Sequence, residues 1–191
     1  MSSYANKIQF LAKMRVHQTR HSGSTLLDHL TGVYLQLKQW GQPRAVAEAG
    51  LFHSVYGTAE FPIETLSAKD RSRLKRVAGE DTERLVHLFC VMNRPGYVET
   101  VSTGAPSASL THRITGESIP VSASEHRAMG YIILANWAEH LPRIQEDSRY
   151  AKAPVYAPLV RYLDDPALTH LLPQEDCAAP SLPRTAANGV H

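Results

Sequence analysis

Apolar residues recur along this chain mainly three and four positions apart, and the elements that spacing predicts are helices. Between Tyr4 and His17 the apolar positions are Ile8, Phe10, Leu11, Met14 and Val16. Ser22-Gly23-Ser24 interrupts the pattern, and Ser24 is placed to cap a second helix over about Thr25–Trp40, with Leu26, Leu27, Leu30, Val33 and Leu37 on one face. Gly41 is suited to ending that helix and Pro43 to opening the next, an Ala-rich helix over about Pro43–Tyr56 that carries Val46, Ala49, Gly50 and Phe52. After a loop through Gly57 and Pro62, Ser67 predicts the cap of a charged helix, Ala68–Val77. Gly79 to Thr82 separates that helix from Glu83–Asn93, whose Leu85, Val86, Leu88, Phe89 and Met92 form a broad apolar face.

The character changes between Arg94 and Pro120. Pro95-Gly96, Gly104-Ala105-Pro106 and Gly116 punctuate two short β-branched segments, Val98–Val101 and Leu110–Ile114, which predicts a long loop or a β-hairpin. Ser122 or Ser124 then caps a long helix to about Leu141, bearing Met129, Ile132, Ile133, Leu134 and Trp137, with Pro142 at its end. A shorter helix, Tyr156–Leu163, follows Pro154. The expectation is an all-α helical domain over 1–172 with an irregular or β-hairpin insertion at about 94–120, and a disordered, small-residue and Pro-rich tail over 173–191. No internal repeat is present in the sequence.

Composition narrows the function only a little. The chain has 191 residues and is long enough for a substantial core. A formal charge of +2, with basic residues dispersed, gives no footprint for nucleic acid. No apolar run approaches the roughly 20 residues of a membrane span, and the N-terminus lacks a signal-peptide layout. Its two cysteines, Cys90 and Cys177, form no metal-spacing motif and fit a reduced, cytoplasmic setting. The partner expected is therefore a small-molecule ligand, without nucleic acid or membrane; the oligomeric state is not written in the sequence. Ten histidines are the feature that prompts a search for a site.

Two of them, His29 and His53, interrupt the apolar faces of the second and third helices. A buried imidazole needs a hydrogen-bond partner, a metal or a ligand to offset its desolvation. His17, Gln18, Arg20 and Gly23 precede His29; Ala49-Gly50-Leu51-Phe52-His53-Ser54 ends the Ala-rich helix; Gly79-Glu80-Asp81-Thr82-Glu83-Arg84-Leu85-Val86 follows; and Leu134-Ala135-Asn136-Trp137-Ala138-Glu139-His140 lies on the long helix. In this order the motifs resemble the HD-domain superfamily, and within it the hydrolase domain of RelA/SpoT-type alarmone enzymes, over roughly residues 5–145. The resemblance implies an HD-like helical bundle and a divalent metal held by two His and two Asp, with His29 and His53 matching the histidines. It also implies that Arg20 contacts the base of a nucleotide ligand, against the alternative of a surface or capping cation.

The departures from that family fall on its chemistry. Ser54 and Asn136 stand where the two Asp ligands belong, and Gly57 and Thr58 where the Glu-Asp pair handling the attacking water belongs. Hard divalent ions prefer anionic oxygen ligands, so ancestral pyrophosphate hydrolysis is not expected. A rebuilt site would use His29 and His53 as metal ligands, with Asn136, His21, Glu139 or His140 completing the shell. Glu139 and His140, three and four residues beyond Asn136 on one helix face, are also the candidates for its catalytic groups. Ser54, Tyr56 and Thr58, with Arg20, would line the ligand pocket. His126 is about 15 Å from Asn136 along the helix axis and is not expected to join it. His53 and Ser54 are neighbours about 100° apart on a helix, so their adjacency makes no Ser-His dyad. The cofactor expected is one divalent metal (Mn, Fe, Zn or Co), with a metal-free pocket as the alternative. Three functions follow: a degenerate HD-type protein with a small-molecule, nucleotide-like or phosphorylated ligand; a metal-dependent hydrolase or oxygenase; and a regulatory protein that uses the 94–120 insertion as a binding surface.

Overall fold

The computed structural model describes residues 2–21, 23–104, 108–144, 148 and 150–173, with the side chains of Arg20 and His21 left out. The expected tail beyond residue 173, with Cys177, lies outside the described residues. The remainder is mostly helical: α1 (Tyr4–Lys13), α2 (Leu26–Gln39), α3 (Arg44–Phe52), α4 (Arg71–Ala78), α5 (Glu80–Val91), α6 (Arg94–Ser102), α7 (Ala123–His140) and α8 (Ala153–Leu163). Two small antiparallel pairs accompany them. β1 (Arg20–His21) pairs with β2 (Ser24–Thr25), and β3 (Ser109–Thr111) with β4 (Ser118–Pro120), where Leu110 faces Ile119. No helix among the described residues is long and apolar enough to cross a membrane.

α7 is the centre of the molecule. Every residue from Ala128 to Ala135 is buried, so the helix is apolar all round, as a helix surrounded by others must be. α2, α3, α5 and α8 pack against it. Leu30 and Val33 of α2, Leu51 and Phe52 of α3, Leu88 and Phe89 of α5, and Met129 and Ile132 of α7 are wholly buried in one continuous core. The start of α7 is fixed by a capping box in which the Ser122 hydroxyl accepts from the Glu125 amide at 3.2 Å and Glu125 accepts from the Ser122 amide at 2.8 Å.

Several boundaries differ from the sequence pattern. α1 stops at Lys13, and Val16–Gln18 form a 3-10 turn. Thr25, not Ser24, caps α2, because its hydroxyl and the Asp28 carboxylate close a reciprocal capping box. α3 ends at Phe52, which leaves His53 as its C-terminal cap and puts Ser54 and Tyr56 in the following turn. Ser67 caps a short 3-10 turn ahead of α4, and α5 starts at Glu80.

The largest difference is α6. Val98–Val101 was expected in a loop or hairpin, and only the segment after it forms one. Asn93 caps α6 by accepting from the Gly96 amide at 3.2 Å, and Pro95 sits in the first turn. Tyr97 and Val101, four residues apart, are buried on the face that meets α8, so burial outweighs β-branched propensity. Lys7 of α1 is 1% exposed and ion-paired at 3.2 Å with Glu48 of α3.

α2 and α3 approach closely at Gly50. A Cβ placed there would collide with the Leu37 side chain and sit 3.1 Å from Val33 Cγ1. Gly50→Ala is therefore expected to destabilise the fold by up to about 2 kcal/mol, since overpacking of roughly 1–3 kcal/mol exceeds the gain of about 1 kcal/mol in helix propensity. Urea denaturation followed by circular dichroism checks this; an unchanged or raised midpoint would contradict it.

Candidate functional site

The Thr25–Asp28 capping box sets the register of α2, so that Leu26, His29, Leu30, Val33 and Leu37 share its buried face. Three hydrogen bonds from Ser24 and Thr25 hold the Asp28 carboxyl below its usual range, the Thr25 hydroxyl contributing most. His29 is 1% exposed. Its Nδ1 lies 2.5 Å from Glu139 Oε2, and its Nε2 lies 3.0 Å from Asn136 Oδ1 and 3.4 Å from His53 Nε2.

His53 is held by the end of its own helix. Its Nδ1 donates to the Gly50 carbonyl at 2.8 Å, satisfying one of the carbonyls a helix C-terminus leaves open. The Phe89 ring stands edge-on to it at 5.3 Å, and Cys90 Sγ donates to its carbonyl. Burial pushes the Cys90 thiol up to about 12, which keeps it protonated. Each imidazole thus has an acceptor at Nδ1, a carboxylate for His29 and a carbonyl for His53. The neutral tautomer compatible with both contacts carries its proton on Nδ1 and turns the Nε2 lone pair toward the other ring. Histidines that ligate metals are anchored in this manner, through the ring nitrogen that does not bind the ion.

Asn136, Glu139 and His140 sit on one face of α7, as their spacing required. Glu139 does not line the cavity. Its carboxylate is turned toward His29 and also accepts from Arg143 Nη2 at 2.5 Å, so it orients His29. Burial alone would push the Glu139 carboxyl up, but the hydrogen bonds from His29 and Arg143 outweigh it and hold the group below its ordinary value. The ligand atoms of His29, Glu139 and His140 lie within 4.8 Å of one another, a grouping that could hold a metal. The Nε2 side of His29 is the better placed. Glu139 Oε2 already accepts two donors, and the His140 ring stacks on His29 at 4.7 Å and 9°, so their in-plane lone pairs run parallel and do not converge.

His53, Ser54, Asn136 and His140 open onto a cavity of about 550 Å³. Thr58 also lines it, in a loop closed by Thr58 N to Phe61 O at 2.7 Å and Phe61 N to Thr58 Oγ1 at 3.0 Å. Ser54 and Trp137 line it, and their Oγ and Nε1 atoms are buried without a hydrogen-bond partner among the described residues. Tyr56 does not belong here. Its hydroxyl donates to Glu83 at 3.1 Å, beside the bidentate Arg71–Glu83 pair, and burial together with that carboxylate raises its pKa. The side chains of Arg20 and His21 lie outside the described residues. The sequence pattern missed Arg94, Arg143, Lys152, Trp137 and Tyr156, which also line it. The two aromatics read as core residues and the cations as surface residues, so no local signal marked them.

Residues 10–94 match the family described as Domain of unknown function (DUF6817). That segment contains His29, His53, Ser54 and Thr58 and stops before the α7 residues of the site. No curated protein matches the chain. No solved structure matches it either.

The lowered Glu139 pKa has a consequence for stability. A carboxyl with a depressed pKa in the folded state contributes stability that is present above its unfolded value, near 4.3, and is lost as pH falls through the folded value. Wild-type protein is expected to lose stability more steeply between about pH 5 and 3 than Glu139→Gln, which has no such proton to take up. Urea midpoints measured across that range check this; parallel curves would contradict it.

Proposed function

We propose that this chain is a divergent HD-type helical protein that receives a small polar molecule in its cavity, beside a divalent metal held by His29, His53 and Asn136. The observation that carries this reading is the approach of the two Nε2 atoms to 3.4 Å while both Nδ1 atoms are engaged elsewhere. Bonds of about 2.1 Å from one ion reach two nitrogens up to about 4.2 Å apart. Asn136 Oδ1 is a third donor at 3.0 Å from His29 Nε2, and Ser54 Oγ is an orphaned buried oxygen next in sequence to His53. The set is uncharged, which favours Zn, Fe or Co over the harder Mn. A bound ion would supply Lewis acidity to a ligand oxygen or a water. His29 and His53 would hold it, Glu139 would orient His29, and the cavity would admit the ligand.

The ancestral alarmone hydrolysis is not part of this reading, because Ser54, Asn136, Gly57 and Thr58 remove the carboxylates that would neutralise the ion and handle water. A metal-free pocket is the second reading, and the 2.5 Å contact between His29 and Glu139 favours it. A doubly protonated His29 would donate to Glu139 and to Asn136 Oδ1 together, and would need no ion.

Metal content separates the two. Protein purified without a histidine tag is expected to retain, or take up from Zn, Fe or Co salts, about one ion per chain by elemental analysis. His29→Ala with His53→Ala should abolish this. Saturation at about 100 times Kd should stabilise wild type by about 2.7 kcal/mol and leave the double variant unmoved. No uptake of any of these ions or Mn would overturn the metal reading and leave the metal-free pocket.

A further inference from the structure

The part of the cavity lined by α6 carries chemistry that a metal would not use. Arg94 opens α6, and its guanidinium lies 4.2 Å from the centre of the Phe89 ring, with only 15% of the side chain exposed. Its ion-pair partner is Glu60, at 2.9 Å, on the loop that carries Thr58 and itself 57% exposed. A buried cation needs anionic compensation, and an exposed loop carboxylate holds it only weakly. Nearby, Trp137 and Tyr156 stack at 4.7 Å and 29°, forming a flat apolar wall with Ile133. The Trp137 ring is 3% exposed, yet its Nε1–H finds no acceptor among the described residues.

We propose that the cavity binds a small organic anion with a flat apolar body. Arg94 takes the acidic head, a carboxylate or a phosphate, in exchange for Glu60, and the apolar body lies along the Trp137–Tyr156 wall. Glu60 is then a built-in competitor that holds Arg94 until the ligand arrives. This rests on the cavity of the proposed function but not on its metal.

The test uses the full chain with phenyl phosphate, phenylacetate and neutral benzyl alcohol as probes, measured by isothermal titration calorimetry with and without EDTA. Both anions, or one of them, should bind at least about tenfold more tightly than benzyl alcohol, and the better of the two names the head group. Arg94→Gln should cost the anions about tenfold or more and leave benzyl alcohol unchanged. Glu60→Gln, at an exposed loop position, should raise anion affinity several-fold by removing the competitor, with a urea midpoint confirming that the variant is folded. Equal binding of benzyl alcohol, no binding of either anion, or unchanged or weakened anion binding in Glu60→Gln would overturn the proposal. Because the metal is measured separately, its absence with anion binding intact defeats only the metal reading.

Discussion

The hydrogen bond between His29 Nδ1 and Glu139 Oε2 joins side chains 110 residues apart, and the geometry of the site follows from it. It aligns α2 with α7, fixes which nitrogen of His29 faces the cavity end, and places Asn136 Oδ1, one helical turn away, against the other nitrogen. Gly32 permits the arrangement. A Cβ there would lie 2.6 Å from Glu139 Cγ, so any larger residue would push the carboxylate off the imidazole. A buried charge-assisted bond of this kind contributes about 1.5–3 kcal/mol, and losing one partner would leave the other buried and unsatisfied.

Charge is distributed unevenly around that bond. The carboxylate sits behind His29, tied to Arg143, while Asn136 and Ser54, both neutral, face the cavity end. The cations Arg94, Arg143 and Lys152 line the same cavity as Glu60, its one carboxylate among the described residues. Such a surface opposes a second cation and accommodates an anion.

The helices and their caps were largely legible because their causes are local. Thr25 with Asp28 and Ser122 with Glu125 act within four residues, and the three- and four-residue spacing of Leu26, Leu30, Val33 and Leu37 marks a face directly. His29 and His53 stood out because each interrupts such a face, and Asn136, Glu139 and His140 because they share one. α6 was misread because Tyr97 and Val101 gain their helical reason from α8, which lies more than fifty residues further on. The burial of Lys7 left no local mark because its partner, Glu48, is on another helix.

By itself the sequence determined that this is a helical chain with two histidines on buried faces and a third helix bearing Asn136 and Glu139. Only the tertiary structure decided that Glu139 stands behind His29, that the two Nε2 atoms meet at 3.4 Å, and that Tyr56 turns away while Arg94 and Trp137 turn in. The physical reason is one of range. Periodicity and capping act through backbone bonds a few residues long, whereas the direction of a side chain into a shared cavity depends on how distant helices cross, and that is set by the packing of the whole core.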